Sequence, residues 1–231
     1  MTKKLQILEK FSGVCASGEL CLYKNLIDQL QTEVSILQEQ AQTDALTGLY
    51  NYRFFADVLP REMERAQRSL QPMSMIMIDI DHFKKFNDQW GHEVGNQALI
   101  HIAKLIHQTI RKLDIACRFG GEEFVVILPN TDLRQSIYVA NRIREVIEDT
   151  CLRITTEDIS ITASLGVDEY RANHTDSLEG FIERVDAWLY QAKHLGRNRV
   201  MHPDLSVDVV VATNVTPDEK DALFNAFSER E

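Results

Sequence analysis

The chain has 231 residues, of which 44% are hydrophobic and 26% are charged, and its formal net charge at pH 7 is −10. This length accommodates one substantial core and a small additional element, but not two large domains. The acidic balance argues against broad nucleic-acid binding, which requires a basic surface. An acidic protein holds a phosphate-rich ligand only where metal ions and local Lys or Arg side chains reverse the field.

No apolar run approaches the length of a membrane span, and the basic start of the chain is not followed by the apolar segment of a secretory signal. We therefore expect a cytoplasmic protein without a membrane span. The four cysteines show no metal-ligand spacing. Cys117 and Cys151 lie in apolar surroundings, which predicts buried thiols.

Residues 1–43 are predicted to form a helical segment. From Leu20 to Ala41, apolar side chains recur at alternating spacings of three and four, which is the a and d pattern of about three heptads. The narrow stripe and its Gln/Glu-rich flanks favour a parallel coiled coil that dimerises the chain. One amphipathic helix packed on its own domain is the alternative, and the helix is also a candidate docking site for a regulatory protein.

Residues 44–201 are predicted to form an α/β domain with a mixed central sheet flanked by helices, because strands and helices alternate around one hairpin. The predicted elements are a turn at 46–51, a helix at 53–68, a strand ending at Asp79, a loop with Lys84, Asn87 and Gly91, a helix at 95–112, a hairpin, a helix at 133–148, a strand at 159–167, a helix at 178–193 and a strand at 198–201.

Residues 202–231 form a C-terminal extension. Its segment 207–215 is strand-prone, and the capping box that begins at Thr216 opens a predicted helix that ends near Phe227. We expect this extension to pack on its parent domain, with a partner or dimer contact as the alternative.

The sequence contains two acidic sites. The first lies at the end of a nearly continuous apolar run that begins at Met73. Such a run is typical of a strand buried on both faces. Its last residues are Asp79, Ile80 and Asp81, and the period of two along a strand places both aspartates on one face. Two carboxylates at the end of a buried strand are unfavourable unless a cation or hydrogen bonds compensate them.

The second acidic site is the stretch Phe119-Gly120-Gly121-Glu122-Glu123-Phe124, which lies between two apolar runs. Paired glycines between strand-like runs predict a β-hairpin. A solvated acidic turn is the alternative interpretation of this stretch alone. If the hairpin lies beside the first strand, Asp79 and Glu122 are placed to hold Mg²⁺, which prefers carboxylates together with phosphate oxygens.

The stretch from Gly120 to Phe124 is similar to the signature of the GGDEF family, the diguanylate cyclases, in its GGEEF form. The similarity continues in the family's order and spacing through residues 44–51, 79–88, 91–92 and 186–199. Together these motifs span about residues 44–200.

The resemblance implies that two GTP molecules condense into cyclic di-GMP with release of two pyrophosphates, at a site that forms only where two domains face each other across a two-fold axis. It implies that Asp79, the Ile80 carbonyl and Glu122 bind two Mg²⁺ ions, with Mn²⁺ as an alternative. Glu122 is the implied proton acceptor, Glu123 assists it, and Lys84 stabilises the charge that develops on the phosphates.

The resemblance also implies how GTP is held. The β- and γ-phosphates are implied to bind the backbone around His82 and Phe83, together with Lys193 and Arg197. Gly120 and Gly121 are implied substrate-binding positions, where bare glycine backbone lets a ligand come close. For Lys193 and Arg197, complementing a helix dipole is the alternative role.

Guanine recognition is implied for Asn87, His92 and position 96. The family normally has Asp at position 96, whereas this chain has Asn96, which offers one acceptor and one donor. GTP remains the expected substrate, and an enzyme that makes some mixed GMP–AMP dinucleotide is the variant. A lesser departure is Tyr52, where the family usually has Arg.

Arg111 and Asp114 match the family's RxxD inhibitory site, which binds the cyclic di-GMP product, and Arg142 is expected to complete it. A catalytically inactive domain that only binds cyclic di-GMP is one competing function. A coiled-coil scaffold is another. Retention of Asp79, Glu122, Glu123 and Lys84 favours the enzyme.

Overall fold

The computed structural model describes residues 27–33, 42–154, 157–173 and 176–205. Residues 27–33, part of the predicted N-terminal helix, are helical and exposed. The rest of the predicted coiled coil and the predicted strand and helix of the C-terminal extension lie outside the described residues. Within the described ranges, no helix combines the length and apolar character needed to cross a membrane.

The described domain is an α/β fold, as expected. Its helices are α1 (Tyr52–Ser69), α2 (Phe83–Trp90), α3 (His92–Thr109), α4 (Leu133–Asp149) and α5 (Leu178–His194). Its strands are β1 (Met73–Ile80), β2 (Ile115–Arg118), β3 (Glu123–Leu128), β4 (Leu152–Ile154), β5 (Glu157–Ile159), β6 (Ala163–Tyr170) and β7 (Val200–Met201).

Strand β1 is the centre of a five-stranded sheet whose order is β2-β3-β1-β6-β7. It pairs antiparallel with β3 on one side and with β6 on the other, and β7 joins β6 in parallel. All eight β1 residues are buried, as the continuous apolar run predicts. The sheet is therefore mixed, with the predicted strand at its middle.

Helices cover both faces of the sheet, because side chains along β1 alternate between two apolar clusters. Ile76, Ile78 and Ile80 pack in a cluster with α3 and α4. Met73, Met75 and Met77 pack in a second cluster with α1 and α5.

Three sequence-based expectations are wrong in detail. Residues 83–90 form helix α2 instead of a loop, since Phe83 is buried and its ring stacks 6.0 Å from that of Phe86, one helical turn later. The run 159–167 is not one strand: its start pairs with β4 in a separate two-stranded sheet, and β6 begins only at Ala163. Cys117 is buried as expected, but Cys151 is exposed.

A close approach of backbones fixes α5 against the sheet. A Cβ atom added at Gly166 of β6 would lie 2.2 Å from the Leu189 nitrogen and 2.5 Å from the Val185 carbonyl oxygen. Only glycine leaves room for this contact. Because α5 carries Lys193, the position of Gly166 also determines where that ammonium lies.

We expect Gly166→Ala to lower the free energy of unfolding by about 3 kcal/mol, because the new methyl group meets backbone atoms that cannot rotate away. Urea unfolding measures the change. The matched control is Gly180→Ala, on the helix α5 that Gly166 contacts. There the added Cβ meets the Ser177 hydroxyl at an ordinary 3.5 Å. Equal stabilities for the two variants would contradict this account of the contact.

Candidate active site

The pairing of β1 with β3 brings the two acidic sites together. Asp79 is the register partner of Glu123, and the Ile80 amide donates to the Glu122 carbonyl at 3.4 Å. Strands β2 and β3 form the predicted hairpin, with Gly120 and Gly121 at its tip. The glutamates therefore lie directly beside the end of the central strand, as expected if the hairpin adjoins it.

Asp79 is almost fully buried and forms an ion pair with Lys193 of α5, at 2.8 Å between the Asp79 Oδ2 and Lys193 Nζ atoms. Burial raises the pKa of Asp79, and the nearby Asp81 carboxylate adds to this. Attraction from Lys193 and Arg197 lowers the pKa but does not outweigh burial. Burial thus disfavours the ionised form of the Asp79 carboxylate even with Lys193 beside it.

The ionised forms of Glu122 and Glu123 are disfavoured in the same way. Burial raises the pKa of each, and repulsion from Asp79 raises both further. The Glu123 carboxylate also lies over the hairpin tip, since its Oε2 atom would be 2.9 Å from a Cβ atom added at Gly120. Three carboxylates therefore crowd one small region with one lysine to balance them.

This donor set fits a hard divalent cation. Asp79, Glu122 and the Ile80 carbonyl supply oxygen ligands, and Mg²⁺ takes a few carboxylates and completes its shell with water and phosphate oxygens. Across the described ranges, no group of three or more acidic, His or Cys side chains forms a ready-made metal cage. A cation here would need the oxygens of a bound substrate as well.

Asp81 has a different role from that of Asp79. Its carboxylate accepts hydrogen bonds from the Thr162 hydroxyl at 2.8 Å, the Ser164 hydroxyl at 2.6 Å and the Asn198 amide at 3.0 Å. With these bonds Asp81 is satisfied by protein groups. It therefore links β1 to the segment that follows α5.

The N-terminus of α2 lies next to this acidic region. His82 has a φ of 59° and precedes the first helical residue, Phe83, so that the chain turns sharply from β1 into the helix. Free amides at a helix start favour phosphate oxygens. Lys84 and Lys85 are exposed on the same helix. The structure thus places the predicted phosphate-binding backbone beside the predicted acids.

The residues predicted to bind guanine lie on α2 and α3, which follow each other directly in the chain. The Asn87 Oδ1 atom is buried and has no hydrogen-bond partner within the described parts of the chain. It lies against Gly95, where an added Cβ atom would come within 1.8 Å of it. His92 and Asn96 are exposed on α3. An unsatisfied buried oxygen of this kind is an acceptor that a ligand can use.

Arg118 is a residue that the sequence analysis missed. Its guanidinium bonds to both Asp44 carboxylate oxygens at 3.2 Å, and its Nε and Nη2 atoms donate to the Gly121 carbonyl at 3.3 and 2.8 Å. Arg118 therefore connects the hairpin tip to the start of the domain. Its place directly before the signature stretch was the available signal.

The predicted inhibitory residues lie at the other end of α3. Asn96 lies about 20 Å along the axis of α3 from its last residue, Thr109, and Arg111 follows two residues later. Arg111 and Asp114 line a cavity of about 510 Å³ together with Tyr50 and His107. The Arg111 amide donates to the Asp114 carboxylate at 2.8 Å. This group is separate from the acidic cluster.

Arg142 of α4 also lies beside the end of α3. Its guanidinium donates to the Thr109 carbonyl and lies 5.9 Å from the centre of the Tyr138 ring. Its Nε atom is buried without a partner in the described residues.

We expect Asp44→Asn to destabilise the protein by about 1 kcal/mol at neutral pH. Burial alone would raise the pKa of Asp44, but hydrogen bonds from Thr47 and attraction from Arg118 outweigh it and leave the pKa lowered. A lowered carboxyl pKa contributes stability above the unfolded-state pKa, and this contribution is lost as the pH falls through the folded-state pKa.

Urea unfolding of the wild type and Asp44→Asn, at about pH 7 and about pH 3, measures this difference, which should shrink in acid. Asp57→Asn, an exposed change on α1, is the control. A difference that stays constant between the two pH values would contradict the assigned role of the Asp44 charge.

Comparison with known proteins places this geometry in a family. Residues 41–199 match the model of the diguanylate cyclase GGDEF domain. The chain is 38% identical over 180 residues to the response regulator PleD of Caulobacter vibrioides, covering 77% of this chain and 39% of that protein. It is 42% identical over 182 residues to the diguanylate cyclase VdcA of Vibrio cholerae, covering 76% of this chain and 51% of that protein. The chain thus spans about half or less of the length of these relatives.

Two solved structures resemble this chain in fold as well as in sequence. One is the diguanylate cyclase SiaD of Pseudomonas aeruginosa, solved in complex with its activator SiaC. It superposes on this chain with a TM-score of 0.70 at 34% identity, and the match covers 86% of this chain and 73% of the SiaD chain. Another is the structure of the coiled coil and GGDEF domain of DgcB from Caulobacter crescentus in complex with c-di-GMP. Its TM-score is 0.73 at 31% identity, and the match covers 78% of this chain and 95% of the DgcB chain. The fold, the acidic hairpin beside β1 and these matches together show that the chain belongs to the GGDEF family of diguanylate cyclases.

Proposed function

We propose that this chain condenses two GTP molecules into cyclic di-GMP and releases two pyrophosphates. The observation that carries the proposal is the pairing of β1 with β3, which places Glu122 and Glu123 beside Asp79 and its partner Lys193. The named cyclases among the relatives support the same reaction.

Two divalent cations, Mg²⁺ or alternatively Mn²⁺, would be held by Asp79, Glu122 and the Ile80 carbonyl. When bound, they neutralise phosphate charge and make the attacking 3′-hydroxyl more acidic. The raised pKa values of Asp79 and Glu122 support this assignment, because crowded carboxylates gain stability when a cation joins them.

The remaining groups bind and orient the substrate. Glu122 takes the proton from the 3′-hydroxyl. Glu123, next to it on β3, assists. Lys84 stabilises charge on the phosphates. The Gly120–Gly121 turn leaves backbone open for close approach of the nucleotide.

The triphosphate would be held by three further groups. These are the amides at His82 and Phe83, the Lys193 ammonium and the Arg197 guanidinium. Lys193 already lies at the acidic cluster, and attraction from Arg197 reaches Asp79. Both cations therefore act at the place where phosphates would meet the metal ions.

One domain holds one GTP, so turnover requires two copies facing each other across a two-fold axis. Holding both nucleotides in position replaces a bimolecular encounter, and a two-fold interface presents them identically. We assign dimer formation to the predicted N-terminal coiled coil, residues 1–43. The solved structure of DgcB, which resembles this chain, comprises a coiled coil and a GGDEF domain and supports this assignment.

We expect Glu122→Ala to reduce cyclic di-GMP formation by at least about 10³-fold, because the variant lacks both a metal ligand and the proton acceptor. The assay incubates the purified protein with Mg²⁺ and GTP and resolves the products chromatographically. Glu183→Ala, an exposed change on α5, is the control and should keep full activity.

Retained activity in a folded Glu122→Ala protein would refute the metal and base assignment. Absence of any dinucleotide from dimeric wild-type protein would remove the enzyme proposal and favour a receptor or scaffold that only binds cyclic di-GMP. Repeating the assay over a concentration series, with the full chain and with a chain that begins at Thr43, tests the role of the helix in dimerisation.

The guanine contacts are proposed for Asn87, His92 and Asn96. The unsatisfied Asn87 oxygen supports this, since guanine N1–H and N2–H₂ are donors. Asn96 offers only one acceptor where the family has a carboxylate, so selection against adenine should be weaker than in a typical relative. A minor mixed GMP–AMP product is the corresponding second activity.

We expect Asn96→Asp to raise the preference for GTP over ATP about tenfold, because a carboxylate accepts from both guanine donors and repels the adenine N1 acceptor. Competition between equal concentrations of GTP and ATP measures the product ratio. Gln97→Glu adds the same charge at the next exposed position and should change nothing. An unchanged ratio in Asn96→Asp would exclude this position from base selection.

Product inhibition is proposed at the cavity lined by Arg111 and Asp114. The cavity volume of about 510 Å³ and the exposed Arg111 support binding of a guanine edge there. The buried, unpartnered Arg142 Nε atom is a further donor next to the end of α3.

We expect Arg111→Ala to raise the concentration of added cyclic di-GMP that halves the reaction rate by about tenfold, since the forked guanidinium contact is lost. Initial rates at increasing product concentration measure it. Lys112→Ala lowers the charge of the same cavity equally and is the control. If both variants lose inhibition equally, general charge explains the effect and the Arg111 contact does not.

Regulation is proposed through the N-terminal segment. SiaD, which resembles this chain over 86% of its length, was solved in complex with an activator protein. The Asp44–Arg118–Gly121 contacts would transmit a rearrangement of that segment to the hairpin tip. A pull-down with residues 1–43 tests for a partner, and recovery of self-associated chain alone would favour simple dimerisation.

A further inference from the structure

The short segment between α5 and β7 has an unusual backbone. After the helix ends, Gly196, Arg197 and Asn198 follow one another with φ values of 119°, 62° and 45°. Glycine and asparagine enter this left-handed region with little penalty, but arginine does so rarely, because its Cβ crowds the backbone. Something around Arg197 must hold it in this conformation.

The neighbouring Asn198 is held at three points. Its amide donates to the buried Asp81 carboxylate at 3.0 Å. Its side-chain nitrogen donates to the Glu148 carboxylate at 2.7 Å, and its side-chain oxygen accepts from the Arg144 guanidinium at 3.2 Å. Arg144 and Glu148 are also paired with each other, at 2.5 Å.

Asp81 provides the fixed end of this network. It is buried at the end of the central strand, and the Thr162 and Ser164 hydroxyls occupy the rest of its carboxylate. The other end is α4, which carries Arg144 and Glu148. Asn198 is therefore held between the sheet and a helix, and these contacts restrict the backbone of the residue before it, Arg197.

The consequence concerns the Arg197 side chain. The Arg197 amide donates to the Ala192 carbonyl at 3.0 Å, so its backbone is fixed on the α5 side as well. In the described parts of the chain the Arg197 guanidinium forms no ion pair, and its attraction reaches the Asp79 carboxylate. A cation held near the acidic cluster without a protein partner is available to a ligand.

We propose that Asp81, Asn198, Arg144 and Glu148 act as positioning residues that hold Arg197 ready for the β- and γ-phosphates of GTP. This inference rests on the proposed GTP reaction and goes beyond it by naming what prepares the phosphate contact. Preorganisation of this kind strengthens binding because less conformational freedom is lost when the ligand arrives.

The test compares the dissociation constants of two ligands in Mg²⁺ buffer. One is α,β-methylene GTP, which carries the β- and γ-phosphates but does not react, and the other is GMP, which lacks them. We expect Asn198→Ala to weaken binding of the triphosphate about tenfold and to leave GMP binding unchanged. Loss of both ligands to the same extent, or of neither, would overturn the proposal.

A double-mutant cycle assigns the effect to Arg197. Arg197→Ala should weaken triphosphate binding on its own, and adding it to Asn198→Ala should weaken binding no further, because the same contact is already lost. Independent effects that multiply would overturn the coupling. If Arg197→Ala alone changes nothing, the proposed phosphate role fails; if it weakens binding but Asn198→Ala does not, only the positioning role fails.

Two further variants keep the test decisive if Asn198→Ala does not fold. Glu148→Ala removes the half-exposed carboxylate that contacts both Asn198 and Arg144, and it should weaken triphosphate binding selectively while the thermal midpoint changes little. Glu145→Ala removes the other acidic partner of Arg144, which lies outside the network, and should leave both dissociation constants unchanged. The reverse pattern would overturn the proposal.

Discussion

Charge repulsion among carboxylates at the end of the central strand is the constraint on which this structure depends. Asp79 is nearly buried, and Glu122 and Glu123 lie beside it because β3 pairs with β1. Burial raises the pKa of all three; repulsion from Asp79 adds to this at both glutamates, and repulsion from Asp81 adds to it at Asp79. A fold that gathers acids in this way is stable only if cations are brought to the same place.

The surrounding elements supply those cations from several parts of the chain. Lys193 reaches Asp79 from α5, whose close packing on β6 depends on Gly166. Lys84, on α2, is proposed to act on the substrate phosphates instead, and α2 begins three residues after β1 ends. The site therefore combines one strand, one hairpin and two helices, and the folded state alone brings its charged groups together.

Hydrogen-bond networks around the acids connect them to distant parts of the chain. Arg118 joins the Gly121 carbonyl to Asp44, where the domain begins. Asp81 joins the end of β1 to Asn198 and, through it, to α4. These partly buried networks join segments that are far apart in the chain. They give a physical route by which events at the N-terminal segment or at α4 would affect the proposed nucleotide site.

Much of this architecture follows from the sequence. The apolar run of β1, the paired glycines and the periodic helices are local signals, and they predicted the hairpin, the α/β class and the limits of α1, α4 and α5 to within a residue or two. The motif around Gly120 indicated the family and thereby most candidate site residues. The predictions failed where a short segment was decided by its neighbours, as in helix α2 and the separate β4–β5 sheet.

Only the tertiary structure decided which residues form ion pairs or hydrogen bonds with each other. Asp79 and Asp81 look equivalent in the sequence, yet one pairs with Lys193 and the other is satisfied by Thr162, Ser164 and Asn198. Arg118 and Asn198 were not found because their partners lie far away along the chain. Sequence patterns report local geometry and burial, whereas the partner of a buried polar group is set by strand register and helix packing, which exist only in the folded molecule.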